Sequence, residues 1–353
     1  MVHKLKVTHL SWSLGMGGIE SMLVNIANAQ ASLGNSVTII IVNDLYDESL
    51  LKRISPFVKV VLLNRHSGSK NPLPLFRLNY YLLKINPDVI HCHVGSLISI
   101  VASFFYHKCY FTRHSVSSQT DLNKQLLLKY KKVFAISEAV RQDIWEKYQV
   151  EAVVVNNGIN TKEIERREYR IVANNNPVKL ITVGRVLLPV KGQDIILMAL
   201  KKIKGYNITL DVIGDGPDMA KLREMTDKYG LQSKVNILGS QTQSFVFSHL
   251  KDYDVFVMAS RTEGFGLTVA EAMAAKLPVV VSDIEGPMEI VCDGKYGHVF
   301  RSGDSESCAN AIMSVIDHYD TEESINTAYQ HVVDNYSVDR TAFNYIENYL
   351  QYD

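Results

Sequence analysis

The chain has 353 residues, 46% hydrophobic and 21% charged, with 37 Lys and Arg balancing 37 Asp and Glu. That is more chain than one core usually serves, and its composition is that of an ordinary soluble protein, so two domains are expected. The four cysteines (Cys92, Cys109, Cys292, Cys308) show neither paired nor metal-like spacing, and the most apolar stretch, 97–106, contains Ser99 and Ser103 and is too short to cross a bilayer. These features exclude a disulfide-stapled or membrane-spanning reading and point to a reduced, cytoplasmic protein.

The amino terminus runs straight into a strand-like segment without an apolar stretch of signal-peptide length. Residues 5–10 read as a buried strand, followed by the Gly-rich turn 15–18. Residues 19–33 then place Ile19, Met22, Leu23, Ile26 and Ala27 on one helical face, and Gly34-Asn35 stop the helix. Residues 37–42 are an unbroken apolar strand, as in a parallel sheet covered on both sides. This βαβ grammar continues with strands at 58–63, 89–92, 133–136 and 153–155, and helices at 75–85 and 138–148. The polar run 161–176 reads as a linker with a short helix. A second series of strands follows at 179–183, 208–213, 235–238, 255–258 and 279–281, then a helical tail at 304–318, 322–336 and 338–349.

The expected fold is therefore α/β: two Rossmann-like doubly wound domains facing a central cleft. The N-terminal domain is assigned 1–168 and the C-terminal domain 169–335. The helix at 336–353 is expected to pack back on the first domain. Charge is divided between the halves. Residues 1–170 carry 21 Lys and Arg against 13 Asp and Glu, a balance of +8, and residues 171–353 carry 16 against 24, a balance of −8. A basic first half suits an anionic membrane surface, and the cluster Lys124, Lys129, Lys131 and Lys132 is its candidate contact. A solvated helix is the competing reading.

The chemistry concentrates in the second half. Strand 255–258 runs through Glu263-Gly264-Phe265-Gly266 into a helix that starts near Leu267 and carries Glu271. A helix N-terminus offers free N–H groups and the positive end of a dipole, and carboxylates accept hydrogen bonds from sugar and ribose hydroxyls. Strand 180–183 ends in Gly184-Arg185, and Lys191-Gly192 follow, so two cations suited to a diphosphate stand at another strand end. Asp252 and Asp254 have metal-like spacing but lie at the entry of a strand, where turn and helix-end roles fit better. His91 and His93 lack visible further ligands, so no metal is expected.

These segments resemble the Glu-x7-Glu glycosyltransferases of family 4, with retaining chemistry and the GT-B fold. The resemblance is carried by Glu263-Gly-Phe-Gly-Leu-Thr-Val-Ala-Glu271, Gly17-Gly18-Ile19-Glu20, Pro87-Asp88-Val89-Ile90-His91-Cys92-His93, Asn157-Gly158-Ile159, Gly184-Arg185, Lys191-Gly192 and Gly214-Asp215-Gly216-Pro217. It implies a hexosyltransferase of the bacterial surface-polysaccharide type. In this reading Arg185 and Lys191 bind the donor diphosphate, Glu263 contacts the transferred sugar and Glu271 holds the ribose. The backbone at Phe265, Gly266 and Leu267 binds sugar or phosphate, Gly17, Gly18 and Gly184 allow close approach to the donor, and His114 lies over the donor sugar. The donor is a nucleotide-sugar, preferably a UDP-sugar. The acceptor is a glycan or lipid-linked hydroxyl, with possible peripheral contact at the inner face of the plasma membrane. No cofactor or nucleic-acid partner is implied. Two departures stand out: Arg185 and Lys191 are one residue further apart than the family pattern, with Pro189 between them, and Lys276 replaces a small residue, as an exposed loop substitution. Competing readings are a non-catalytic sugar-nucleotide-binding protein of the same fold and a dinucleotide-dependent oxidoreductase. The oxidoreductase fits poorly because Gly15, Gly17 and Gly18 lack Gly-x-Gly-x-x-Gly spacing.

Overall fold

The computed structural model describes residues 4–15, 18–116, 122–172 and 177–351. The chain forms two units, Met1–Gly158 with Val338–Asp353, and Ile159–Ser337. The first holds strands β1 (Lys6–Ser11), β2 (Ser36–Asn43), β3 (Lys59–Arg65), β4 (Val89–Cys92), β5 (Cys109–Arg113), β6 (Lys132–Ala135) and β7 (Val153–Val154). The second holds β8 (Val178–Val183), β9 (Ile208–Ile213), β10 (Val235–Gly239), β11 (Val255–Met258), β12 (Val279–Ser282) and β13 (His298–Phe300). All the pairings are parallel. The sheet orders are β3-β2-β1-β4-β5-β6-β7 and β10-β9-β8-β11-β12-β13.

In each sheet the order reverses beside its first strand, between β1 and β4 and between β8 and β11. Loops leaving the carboxyl ends of these strands diverge at such a switch point and leave a crevice for ligand. Strands β4, β11 and β12 are buried along their whole length. Every fully buried Val, Ile or Leu in them contributes about 1.5–3 kcal/mol. This explains why they read as apolar runs rather than alternating patterns.

The polar run 161–176 is not a linker with a helix. Its described part is turn and irregular chain that belongs to the second unit. Glu165 N–H donates to Phe247 O and Arg167 N–H to Ala275 O. The Arg167 guanidinium bonds the buried Asp254 carboxylate at 2.8 Å. Anchors to three parts of the second unit place the division at 158/159 rather than 168/169. The second division falls at 337/338. The last helix, Val338–Leu350, packs on the helix Gly18–Ser32 of the first unit. It buries Thr341, Ala342, Tyr345, Ile346 and Tyr349, a stripe with helical period.

Candidate donor site

The second unit gathers its polar side chains on the loops that follow β8 and β11. After β8 the chain passes Gly184 and Arg185 and makes a single helical turn, Leu188–Lys191, with Pro189 in its opening positions. Lys191 N–H donates to Leu187 O at 2.7 Å, and Leu188 N–H to Asp218 Oδ2 at 2.8 Å. The segment between Arg185 and Lys191 thus ends in a helical turn. Lys191 Nζ then forms an ion pair with Glu263 Oε2. An ammonium has three donors and a carboxylate about four acceptor positions, so each partner keeps capacity for a ligand. Arg185 is exposed, and among the described residues its guanidinium has no hydrogen bond or ion pair.

Close packing of backbone draws these loops together. Gly192 has φ +65, and a Cβ there would stand 1.8 Å from Ala259 O. Gly214, after β9, has φ +142, and its Cβ would stand 1.9 Å from Gly184 O. Both positions combine a left-handed backbone with a contact that only glycine allows. Arg261 adds a clamp that sequence reasoning missed. It forks onto Asp194 at 2.9 and 2.7 Å, and it also donates to Leu188 O at 2.6 Å. The Asp194 hydrogen bond holds the guanidinium further above its ordinary range. An i,i+67 pair has no local signature in a single sequence.

The helix after β11 is Leu267–Ala274, preceded by Gly266 with φ +105. Its first N–H groups have no intrahelical acceptor, so Leu267 and its neighbours can donate to an anion or hydroxyl. Phe265 is buried, with its ring edge-on to Tyr336 at 5.4 Å; it fixes the turn from below. Glu271 keeps part of its surface accessible, yet burial pushes its carboxyl up to about 8, opposed by a hydrogen bond with Gln243. At neutral pH this group is mainly protonated. Lys276, expected to be exposed, is half-buried at φ +62 with its ammonium 5.4 Å from the Tyr329 ring centre.

Asp254 accepts from Arg167, Arg170 and the Lys179 N–H. A carboxylate so engaged at a strand entry is structural, as its place in the chain indicated.

In the first unit, Gly18 opens the helix Gly18–Ser32 and has free space where a Cβ would go; Gly17 lies outside the described residues. His91 and His93 do have a further histidine beside them, contrary to the sequence expectation. His9, on β1, is in register with His91 on β4, and His9, His91 and His93 have ring nitrogens within 4.8 Å of one another. Sequence reading missed His9 because 82 residues separate it from His91. Both nitrogens of each ring are already engaged. His9 meets Gln30 at 2.8 Å and His93 at 3.0 Å, and His93 meets His114 at 3.2 Å. His91 meets Tyr349 at 2.6 Å and Thr112 at 2.7 Å. A metal would have to displace these bonds. Burial lowers His9 and His114 to about 4 and His91 and His93 well below the ordinary histidine value, so all four rings are neutral.

Residues 16–163 match the family model described as Glycosyltransferase Family 4, and residues 161–331 match Glycosyl transferases group 1. The chain belongs to the family-4 glycosyltransferases. An uncharacterised glycosyltransferase of Methanocaldococcus jannaschii is 27% identical over 69% of this chain and 60% of its own length, so the chain matches less than two thirds of that relative. The phosphatidylinositol N-acetylglucosaminyltransferase GPI3 subunit of Saccharomyces cerevisiae is 22% identical over 78% of this chain and 67% of its own. The Anabaena protein HepE, solved in complex with UDP and glucose, superposes with a TM-score of 0.77 at 21% identity, covering 98% of this chain and 99% of that one. At such identity the structural likeness establishes the GT-B glycosyltransferase fold.

Proposed function

We propose that the chain is a retaining hexosyltransferase that uses a nucleotide-sugar, preferably a UDP-sugar, and glycosylates a hydroxyl of a glycan or lipid-linked acceptor in cell-surface polysaccharide synthesis. The observation that carries this reading is one group of side chains on the loops after β8 and β11. Arg185 is open to solvent, Lys191 is paired with Glu263, and Glu271 is held largely uncharged one helical turn further on. Arg185 and Lys191 suit a diphosphate, Glu263 the hydroxyls of the transferred sugar, and Glu271 those of the ribose. Phe265, Gly266 and Leu267 supply backbone donors. His114 keeps its proposed role toward the donor sugar.

In this mechanism the bond between the anomeric carbon and the diphosphate oxygen breaks first, leaving a sugar with oxocarbenium character. The cations and helix N–H groups stabilise the departing charge. The acceptor hydroxyl attacks the same face and its proton passes to the leaving phosphate, with no metal or cofactor required. NMR of the product anomer tests this directly. A UDP-hexose supplied with an acceptor glycan should yield product of unchanged configuration, whereas inversion would refute the mechanism. Binding without turnover would instead identify a non-catalytic sugar-nucleotide-binding protein.

The GPI3 relative is named for a phosphatidylinositol acceptor, which favours a lipid-linked acceptor here. The membrane contact we propose differs from the lysine cluster read in sequence. Lys129 and Lys131 lie over the rings of Tyr106 and Tyr110, and Lys132 donates to Asn348. The helix Leu73–Ile85 is the better candidate. Leu73, Phe76, Tyr80 and Leu83 form one exposed stripe, 59–70% accessible, with Arg77 and Lys84 also exposed. Such a face suits the interface of an anionic membrane, and no helix among the described residues is long and apolar enough to cross one. Flotation with anionic vesicles should recover the chain and lose it on Phe76→Glu/Tyr80→Glu. Equal recovery of parent and variant would rule out this contact.

A further inference from the structure

The histidines of the first unit form a directed chain. His114 Nε2 meets His93 Nδ1 at 3.2 Å, His93 Nε2 meets His9 Nδ1 at 3.0 Å, and His9 Nε2 meets Gln30 Oε1 at 2.8 Å. His9, His93 and Gln30 are buried, with His9 and Gln30 fully inaccessible. A neutral imidazole has one N–H and one lone pair, so each bond in the chain dictates the next. Gln30 Oε1 can only accept, and His9 must therefore carry its proton on Nε2. His9 Nδ1 then accepts from His93 Nε2–H, and His93 Nδ1 accepts from His114 Nε2–H. The proton order propagates through three rings and leaves His114 Nδ1 with a bare lone pair.

We propose that Gln30, acting through His9 and His93, sets the tautomer of His114 and holds its Nδ1 as a hydrogen-bond acceptor for a sugar hydroxyl. Gln30, His9 and His93 are positioning residues, and the proposal rests on the reading that His114 acts on the donor sugar. Burial keeps the rings neutral, so the order is not scrambled by a second ring proton. Neighbouring His91 bonds Tyr349 and Thr112 rather than another ring of the chain.

The test is nitrogen-15 NMR of the histidine rings in the full chain, with His114 assigned from the spectrum of His114→Ala. The expected result is His9, His93 and His114 each protonated on Nε2 and unprotonated on Nδ1. Protonation of His114 on Nδ1, the order that a donating Gln30 amide would impose, overturns the proposal. So does a metal-bound signature accompanied by stoichiometric metal. Gln30→Met removes the acceptor; it should mix the His114 tautomers and lower kcat roughly 10- to 100-fold, as loss of an outer-shell orienting partner does, with donor KM little changed. Gln30→Glu retains an acceptor oxygen and should restore the Nε2–H signature. A single unmixed tautomer in Gln30→Met would also count against the relay. Should that variant fail to fold, the parent spectrum alone decides. Normal turnover by His114→Ala would defeat the sugar-facing role while leaving the tautomer result standing, so the two failures are distinguishable.

Discussion

Arg185→Ala should lower turnover by roughly two to three orders of magnitude, the loss found when one preorganised stabiliser of developing charge is removed. The same variant should fold with stability within about 0.5 kcal/mol of the parent, as is usual for a surface substitution that breaks no contact. This contrast follows from the structure, where the guanidinium is exposed and has no ion pair or hydrogen bond among the described residues. A residue kept for stability would show the opposite pattern. Arg185→Lys should recover only part of the rate, because a point charge cannot fork onto two phosphate oxygens. Single-turnover kinetics with a saturating donor, alongside urea unfolding, checks both halves. Near-normal turnover in Arg185→Ala would remove the residue from the charge chemistry.

Glu271 should couple nucleotide binding to proton release. Its carboxyl is pushed up to about 8 by burial, so below that pH it is mainly protonated. Ribose hydroxyls that donate to it favour the carboxylate and lower its pKa. At pH 7, calorimetry in buffers of different ionisation enthalpy should therefore show most of a proton leaving per nucleotide bound. Glu271→Gln should abolish that release and weaken binding roughly 10- to 150-fold, the equivalent of about 1.5–3 kcal/mol for hydrogen bonds to a charged group. Stability carries the same signature with a definite sign. Between the unfolded value of 4.5 and about 8 the folded state binds more protons than the unfolded. The Glu271 contribution to stability therefore falls as pH rises through this window and levels off above it. Glu271→Gln should flatten that part of the profile. Unchanged proton release or unchanged affinity in the variant would exclude the ribose assignment.

Both predictions use residues that were legible in the sequence, for identifiable reasons. A parallel strand buried on both faces leaves an unbroken apolar run, as at 255–258, and 89–92 and 208–213 were also readable residue for residue although they carry His91 and Asp211. The edge strand β13 was missed because it has three residues, of which only Phe300 is buried. The spacing of Glu263 and Glu271 spans one turn and one helix start, a local pattern that a single sequence retains. Long-range pairings leave no such trace. Nothing near Arg261 announces Asp194, and nothing near His91 announces His9, because those contacts arise only when parallel strands and their following loops come into register. The additional residue before Lys191 shows the middle case. The departure was visible in the spacing, but the helical turn there and the pairing of Lys191 with Glu263 depended on backbone geometry.

The proposed site therefore rests on a division of labour. Carboxylates hold hydroxyls, while Arg185, Lys191 and a helix N-terminus hold the charge. Thermal unfolding in the presence of UDP-, GDP- and ADP-sugars tests that claim most directly, because a ligand that binds only the folded state raises its midpoint. A rise with one nucleotide-sugar, UDP-linked by preference, that disappears in Arg185→Ala/Glu271→Ala is the predicted result. An unchanged midpoint with every nucleotide-sugar, or an equal rise in the double variant, would contradict it.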